Sequence, residues 1–189
     1  MKILIAIISV LIVLSCSQKN PEIELTTALG KISIELYAKK AQITTTNFLE
    51  YVDGQLFNGA HFYRIVNSEN QPDDSIRIAV IQGGLGWDEN PQRQPAIVHE
   101  STQETGVLHL DGVISMARGE PGTADAEFFI CVGDQPDLDF GGMRNPDGLG
   151  FAAFGRVTAG MDVVKKIHQL PNEQQMLTEK VAILSIKRK

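Results

Sequence analysis

Four histidines, two cysteines, a glycine-rich run and a cluster of aspartates are the residues of this 189-residue chain from which chemistry would ordinarily be built. His61, His99, His109 and His168 show no HExxH or comparable spacing, so no metal site is expected. Gly83-Gly84-Leu85-Gly86 has no Lys-Ser/Thr after it and opens no helix, which argues against a phosphate cradle. A Gly-x-Ser-x-Gly elbow is missing, leaving a serine hydrolase unsupported. Asp134, Asp137, Asp139 and Asp147 share a loop with Pro136, Gly141, Gly142 and Pro146, at a spacing that is not an EF-hand's, and read as solvated turn residues. Cys131 lies in the apolar run Phe128–Val132 and reads as a buried small side chain, not a nucleophile. No cofactor is implied. What remains is a set of strand-like segments, among them Phe62–Val66, Gly112–Arg118 and Glu127–Ile130, that individually say little. Taken singly, Arg64 reads as a strand-surface arginine in an ion pair and Phe129 as core packing.

The elements that position them follow from periodicity. Ile23 and Leu25, then Ile32, Ile34 and Leu36, alternate with polar neighbours around Ala28-Leu29-Gly30-Lys31, which predicts a hairpin. Ala41, Thr45, Phe48 and Val52 recur at four, three and four, predicting a helix that stops at Asp53-Gly54. Met161, Val164, Ile167 and Leu170 repeat at three, with Lys165, Lys166 and His168 in the last turns and Pro171 ending the helix. Further strands are expected at Phe62–Val66, Ile76–Ile81, Gly112–Ala117, Glu127–Val132, Phe151–Val157 and Val181–Ile186. About eight strands and two distant helices make no alternating βαβ units. A mainly β fold, a closed eight-stranded antiparallel barrel capped by two α-helices, is the packing that removes exposed edges. With 43% hydrophobic residues the chain can fill one core, and its formal net charge of −6 argues against sequence-independent nucleic-acid binding. A monomer is expected.

Residues 1–16 carry one lysine, an uncharged stretch from Ile3 to Leu14, then Ser15 and Cys16. The stretch is short for a bilayer span and sits where a secretory signal belongs. Ser15 before Cys16, with Val13 and Leu14 ahead of it, resembles the lipobox of bacterial lipoproteins. That resemblance implies a signal peptide over residues 1–15, acylation of Cys16, a tether over 16–21, a folded domain over 22–189, and a place in the bacterial cell envelope, with the outer membrane and periplasm favoured. The mature chain would then hold no internal disulfide, since Cys131 is the sole other cysteine.

Five blocks resemble one family when taken in order: Phe62-Tyr63-Arg64-Ile65-Val66, Gln82-Gly83-Gly84, Gly112-Val113-Ile114-Ser115-Met116-Ala117-Arg118, Glu127-Phe128-Phe129-Ile130, and Phe154-Gly155-Arg156-Val157 with Gly160-Met161-Asp162-Val163-Val164. Together they look like a cyclophilin, the cyclosporin-type peptidyl-prolyl cis/trans isomerase, over about residues 22–188. The resemblance implies a site on the outer face of the barrel, with Arg64 as catalytic arginine, Gln82 beside it, and Phe129 flooring a proline pocket with Val80, Ala117 and Leu138. Arg118, Ala79, Glu127 and Phe151 belong to the implied substrate site, and proline-containing polypeptides are the implied partners. Such a reaction needs no nucleophile. The X–Pro amide turns against a barrier of roughly 20 kcal/mol, and a donor to the pyramidalising prolyl nitrogen acts in the twisted state alone. A proline-peptide-binding chaperone or assembly module with little turnover is the alternative, and a structural envelope lipoprotein a third class.

Departures from the family pattern carry expectations of their own. Ala79 stands where phenylalanine is common, Asp137 where many members have tryptophan, Phe151 where histidine is frequent, and Glu127 where glutamine is usual. Ala79 is expected to cost an aromatic wall worth about 1–3 kcal/mol, with Phe151 refilling part of that space. Glu127 is expected to orient Arg64 by pairing with its guanidinium. The long Asp139–Gly150 stretch is expected to border the groove or to be a passive surface loop.

Overall fold

The computed structural model describes residues 19–72, 75–86 and 89–189; residues 1–15, where a signal peptide is expected, and Cys16 therefore lie outside the described residues. Strands β1 (Glu22–Thr27) and β2 (Gly30–Leu36) form the expected hairpin, in register from Glu22↔Glu35 to Thr27↔Gly30. Helix α1 (Gln42–Asp53) follows, then β3 (His61–Val66), β4 (Val80–Gly84), the one-turn α2 (Thr102–Thr105), β5 (Val113–Met116), β6 (Phe128–Cys131), β7 (Ala152–Ala159), α3 (Met161–His168), and the pair β8 (Asn172–Glu173) and β9 (Met176–Arg188). All pairings are antiparallel in the order β1-β2-β7-β5-β6-β4-β3-β9, and β1 pairs with β9 to close the eight-stranded barrel. The short β8 only extends β9.

Alternation fills the interior. Ile23, Leu25, Ile32, Ile34, Phe62, Ile81, Ile114, Phe128, Ile130 and Phe154 all point inward and are fully buried. Helix α1 plugs one end with Phe48, whose ring meets Phe57, Phe128 and Phe154 at 5.1, 5.5 and 5.1 Å between centroids. Ala41 offers that helix no side-chain cap, and Glu100 replaces it, accepting from the amides of Ile43 and Thr44 at 3.1 and 2.7 Å. Helix α3 buries Val163, Val164 and Ile167, with Asp162 in its first turn and the basic residues in its last, as its dipole prefers.

The largest differences from the sequence-based expectation are at β4, at β9 and in an added helix, while β5, β6 and β7 shift by one or two residues at their ends. The fourth strand runs from Val80 to Gly84, not over Ile76–Ile81, because both glycines enter the ladder opposite Phe62 and His61. A Cβ on Gly83 would press into the His61 carbonyl and the Phe62 ring, so the close approach of β3 and β4 requires its absence. Strand β9 extends well beyond Val181–Ile186. Helix α2 is a third, single-turn helix, held by a capping box between Ser101 and Glu104.

Gly160 joins β7 to α3 at φ +92°, and a Cβ there would meet the Lys31 carbonyl and lie 2.9 Å from Ile32 Cα. Gly160→Ala is expected to destabilise the fold by about 2 kcal/mol, seen as a lower urea midpoint with an unchanged slope; an unaltered midpoint would contradict the packing described.

Candidate active site

The wall made by β3, β4 and β6 is apolar on its outer face too. Along β6, Phe128 and Ile130 enter the barrel while Phe129 and Cys131 point out. Val66 and Val80 join them from β3 and β4, and loops add Ile78, Leu138, Ala117 and Phe151. The result is a second, smaller apolar cluster outside the barrel. It borders a cavity of about 190 Å³ lined by Arg64, Ile78, Val80, Gln82, Ala117, Arg118, Phe129, Leu138, Arg144, Asn145 and Phe151. That volume is below the range for drug-sized ligands and suits one small ring.

Phe129 is the floor. On one side Phe151 stands against it edge to face, 5.4 Å between centroids at 90°. Behind it the His109 ring lies stacked at 5.8 Å and 16°. His109 is itself fixed at both nitrogens, Nδ1 2.7 Å from Asp139 Oδ1 and Nε2 2.9 Å from Ser115 Oγ. This Ser–His–Asp line is sealed under Phe129, with Ser115 and His109 buried, so it braces the floor and meets no substrate. Cys131 is buried beside it, and burial pushes its thiol pKa up, away from nucleophilic use.

Arg64 stands on the rim because of a β-bulge. Register shifts between Phe62 and Arg64, so Phe62 and Ile65 both point inward while Tyr63 and Arg64 both reach Gln82 outside. Nη1 of Arg64 donates to Gln82 Oε1 at 2.7 Å; Nε and Nη2 donate to Gln175 Oε1 at 3.1 and 2.5 Å. Gln175 sits in the turn between β8 and β9, where Gln174 and Gln175 adopt φ of +47° and +76°. Non-glycine residues pay about 1 kcal/mol or more for such a conformation, which here aims one amide at the guanidinium.

Arg118 occupies the opposite rim. Its guanidinium grips Asp147 at 2.8 and 3.0 Å and the Gly150 carbonyl at 2.9 and 2.6 Å, and it covers the Phe151 ring at 5.3 Å. The Asp139–Gly150 stretch is thus pinned to the barrel, and it supplies Arg144 and Asn145 to the cavity. Of the loop aspartates, Asp134 and Asp147 are exposed yet bonded, to the Asp111 amide and to Arg118, while the half-buried Asp139 holds His109. Among the described residues no group of three His, Cys, Asp or Glu stands close enough to hold a metal ion.

Of the residues singled out from sequence, Arg64, Val80, Gln82, Ala117, Arg118, Phe129, Leu138 and Phe151 line one cavity. Ala79 does not. Its amide and carbonyl are bonded to Gln135 and Val132, and its neighbour Ile78 forms the wall instead, held by Gln71 through both amide and carbonyl. Asp137 is likewise off the cavity, in a 3₁₀ turn, Pro136–Leu138. Glu127 does not pair with Arg64 directly; Arg93 and Tyr63 take its two oxygens at 2.8 and 2.6 Å. Sequence reasoning missed Ile78, Tyr63, Arg93, Arg144, Asn145 and Gln175. Gln174-Gln175 lacks the Asn-Gly signature that would have marked a tight hairpin turn.

A closed antiparallel barrel thus carries, on its outer wall, an apolar pocket the size of one ring with a tethered guanidinium at its rim. Residues 22–188 match the family model described as cyclophilin type peptidyl-prolyl cis-trans isomerase, and the chain belongs to that family. It is 33% identical over 174 residues to the peptidyl-prolyl cis-trans isomerase of Acinetobacter baylyi, covering 88% of this chain and 85% of that one. Isomerase A of Dickeya dadantii is 33% identical over 180 residues, covering 91% and 86%. A cyclophilin-type isomerase of Cryptosporidium parvum superposes with a TM-score of 0.71 at 17% identity, covering 90% of this chain and 98% of that one. The same protein has been solved in the presence of the dipeptide Ala-Pro.

The Arg118 bond and the Leu149 amide hold the Asp147 carboxyl far below the usual aspartate range, at about 2. Since its folded-state pKa is depressed, the tie is intact above the unfolded value near 3.8 and is lost as pH falls through about 2. The amide resonance of Leu149, which donates to Asp147 at 2.8 Å, is expected to titrate with a midpoint near 2. A midpoint near that of a free aspartate would show the loop unpinned.

Proposed function

We propose that this protein catalyses rotation about Xaa–Pro bonds in exported polypeptides, with Arg64 as the catalytic group, while Cys16 anchors it by acyl chains to the bacterial envelope. The pyrrolidine ring sits on Phe129, walled by Val80, Ile78, Leu138, Ala117 and Phe151. The amide preceding it lies over Gln82 and Arg64. In the planar states resonance withdraws the prolyl nitrogen's lone pair. On twisting, that resonance is lost, the nitrogen pyramidalises, and the guanidinium donates a hydrogen bond that exists in neither ground state. No covalent bond forms and no proton changes owner. Holding the ring still while the preceding residue swings is the second contribution, and the small apolar pocket provides it.

The observation that carries this reading is the guanidinium of Arg64, tethered by Gln82 and Gln175, at the rim of the pocket floored by Phe129. A preorganised donor of this type contributes about 3 kcal/mol, so Arg64→Ala is expected to lower kcat/KM on a short Xaa-Pro peptide about 100-fold. Equal rates for variant and wild type, both near the uncatalysed rate, would leave a proline-peptide-binding module instead.

The anchor rests on the sequence of residues 1–16, where a short apolar stretch runs into Ser15 and Cys16. Acyl chains add about 0.8 kcal/mol per buried methylene, enough in pairs for stable attachment. Fractionation of expressing cells is expected to place the wild type with membranes and Cys16→Ala in the soluble fraction. Recovery of both in the soluble fraction would remove the anchor from the proposal.

A further inference from the structure

Glu127 is 3% exposed, beside the pocket but not part of its lining. Its Oε1 accepts from Arg93 Nη2 at 2.8 Å and its Oε2 from the Tyr63 hydroxyl at 2.6 Å. Arg93 also holds Asp125 through Nη1 at 2.7 and 2.8 Å. Gly84 opposite leaves the space for this carboxylate; a Cβ there would overlap it and the Ala126 carbonyl. From Tyr63 the bonds continue outward: Gln82 Nε2 donates to the Tyr63 oxygen at 2.9 Å, and Arg64 Nη1 donates to Gln82 Oε1 at 2.7 Å.

The direction of every bond in this series follows from the first. An ionised carboxylate has no proton to give, so Tyr63 must donate to it. Having spent its one proton there, the phenol oxygen can only accept, and the amide nitrogen of Gln82 is what it receives. Gln82 is thereby turned with its carbonyl toward Arg64. The opposite amide orientation would set NH₂ against a guanidinium, donor facing donor. We propose that Glu127 is a positioning residue for the isomerisation, fixing Arg64 at the pocket rim through Tyr63 and Gln82. The proposal rests on the catalytic role of Arg64 given above.

Two consequences distinguish this relay from simple packing. Gln in place of Glu127 has a single acceptor oxygen, which the charged donor of Arg93 takes. Its NH₂ then faces Tyr63, the phenol donates to Gln82, and Gln82 turns its own NH₂ to Arg64. A nearly isosteric change therefore reverses the relay. The second consequence is a pH dependence. Burial raises the Glu127 pKa, the Tyr63 bond and the Arg93 charge oppose that rise, and Asp125 adds to it; the Tyr51 phenol also lies within reach of this carboxylate's charge. Once protonated at low pH, Glu127 can donate to Tyr63, and the constraint on Gln82 is lifted.

The test measures kcat/KM by NMR exchange on an Xaa-Pro peptide from pH 4.5 to 8 for the mature chain and its variants, with Arg64→Ala as reference. Glu127→Gln is expected to lose about tenfold at pH 7.5, mainly in kcat, and to lose the acid limb of the wild-type profile. Tyr63→Phe should lose as much, and the double variant no more than either single one. A Glu127→Gln enzyme with wild-type rate and an unchanged acid limb would overturn the relay. So would losses that add in the double variant while the limb persists, the signature of ordinary structural damage. If Glu127→Gln fails to fold, Tyr63→Phe decides alone: a tenfold loss without the acid limb supports the relay, and an unchanged profile overturns it. An Arg64→Ala variant as fast as wild type would instead remove the catalytic reading beneath it.

Discussion

A strand wall that is apolar on both faces is the constraint on which the site depends. Sheets in water usually alternate an inward apolar residue with an outward polar one. Here β6 reads Phe128-Phe129-Ile130-Cys131, and each neighbouring pair divides between the barrel core and the external cluster. An outer apolar face cannot be left bare without cost at about 25 cal/mol per Å². The segments Ile76–Ala79 and Asp139–Gly150 cover it incompletely, and the part left open is the pocket. The candidate site is therefore a gap in the covering of a barrel that is closed at the β1–β9 seam and filled inside by packed aromatic rings.

Polar groups around that gap are organised by neutral amides and by two carboxylates, one exposed and one buried, in distinct roles. Arg118 is clamped by Asp147 and the Gly150 carbonyl and acts as a strut over Phe151. Arg64 is set by the carboxamides of Gln82 and Gln175, which fix direction through the fork geometry of the guanidinium. The carboxylate of Glu127 stands one tyrosine and one glutamine further away, where its charge is balanced by Arg93. While Glu127 is ionised, the series specifies a single arrangement, because the opposite orientation of Gln82 would set a donor against the Arg64 donor.

The bulge at Tyr63 links the two organising principles. Without it, period-two alternation would send Tyr63 and Arg64 to opposite faces of β3, and the relay and the pocket rim could not be built from one strand. The turn at Gln174-Gln175 serves the same end from β9, accepting an uncommon backbone conformation at two residues to bring an amide across 111 positions of sequence to Arg64.

Local patterns in the chain carried much of this. Alternation in residues 23–36, the helical spacing of Phe48 and Val52, the Met161–Leu170 stripe stopped by Pro171, and the apolar runs around Phe62 and Phe128 determined a mainly β barrel with capping helices, because burial of a face imposes a period on the residues that make it. The registered blocks likewise brought Arg64, Gln82, Phe129 and Arg118 to one site. Tertiary structure alone decided which distant groups meet. Arg93 reaches Glu127 across 34 residues, Ile78 and not Ala79 forms the pocket wall, and the loop aspartates become partners of His109 and Arg118. None of these contacts has a periodic signature, since each is set by how strands register when the barrel closes, and a shift of one residue in that register would exchange every inward side chain for an outward one.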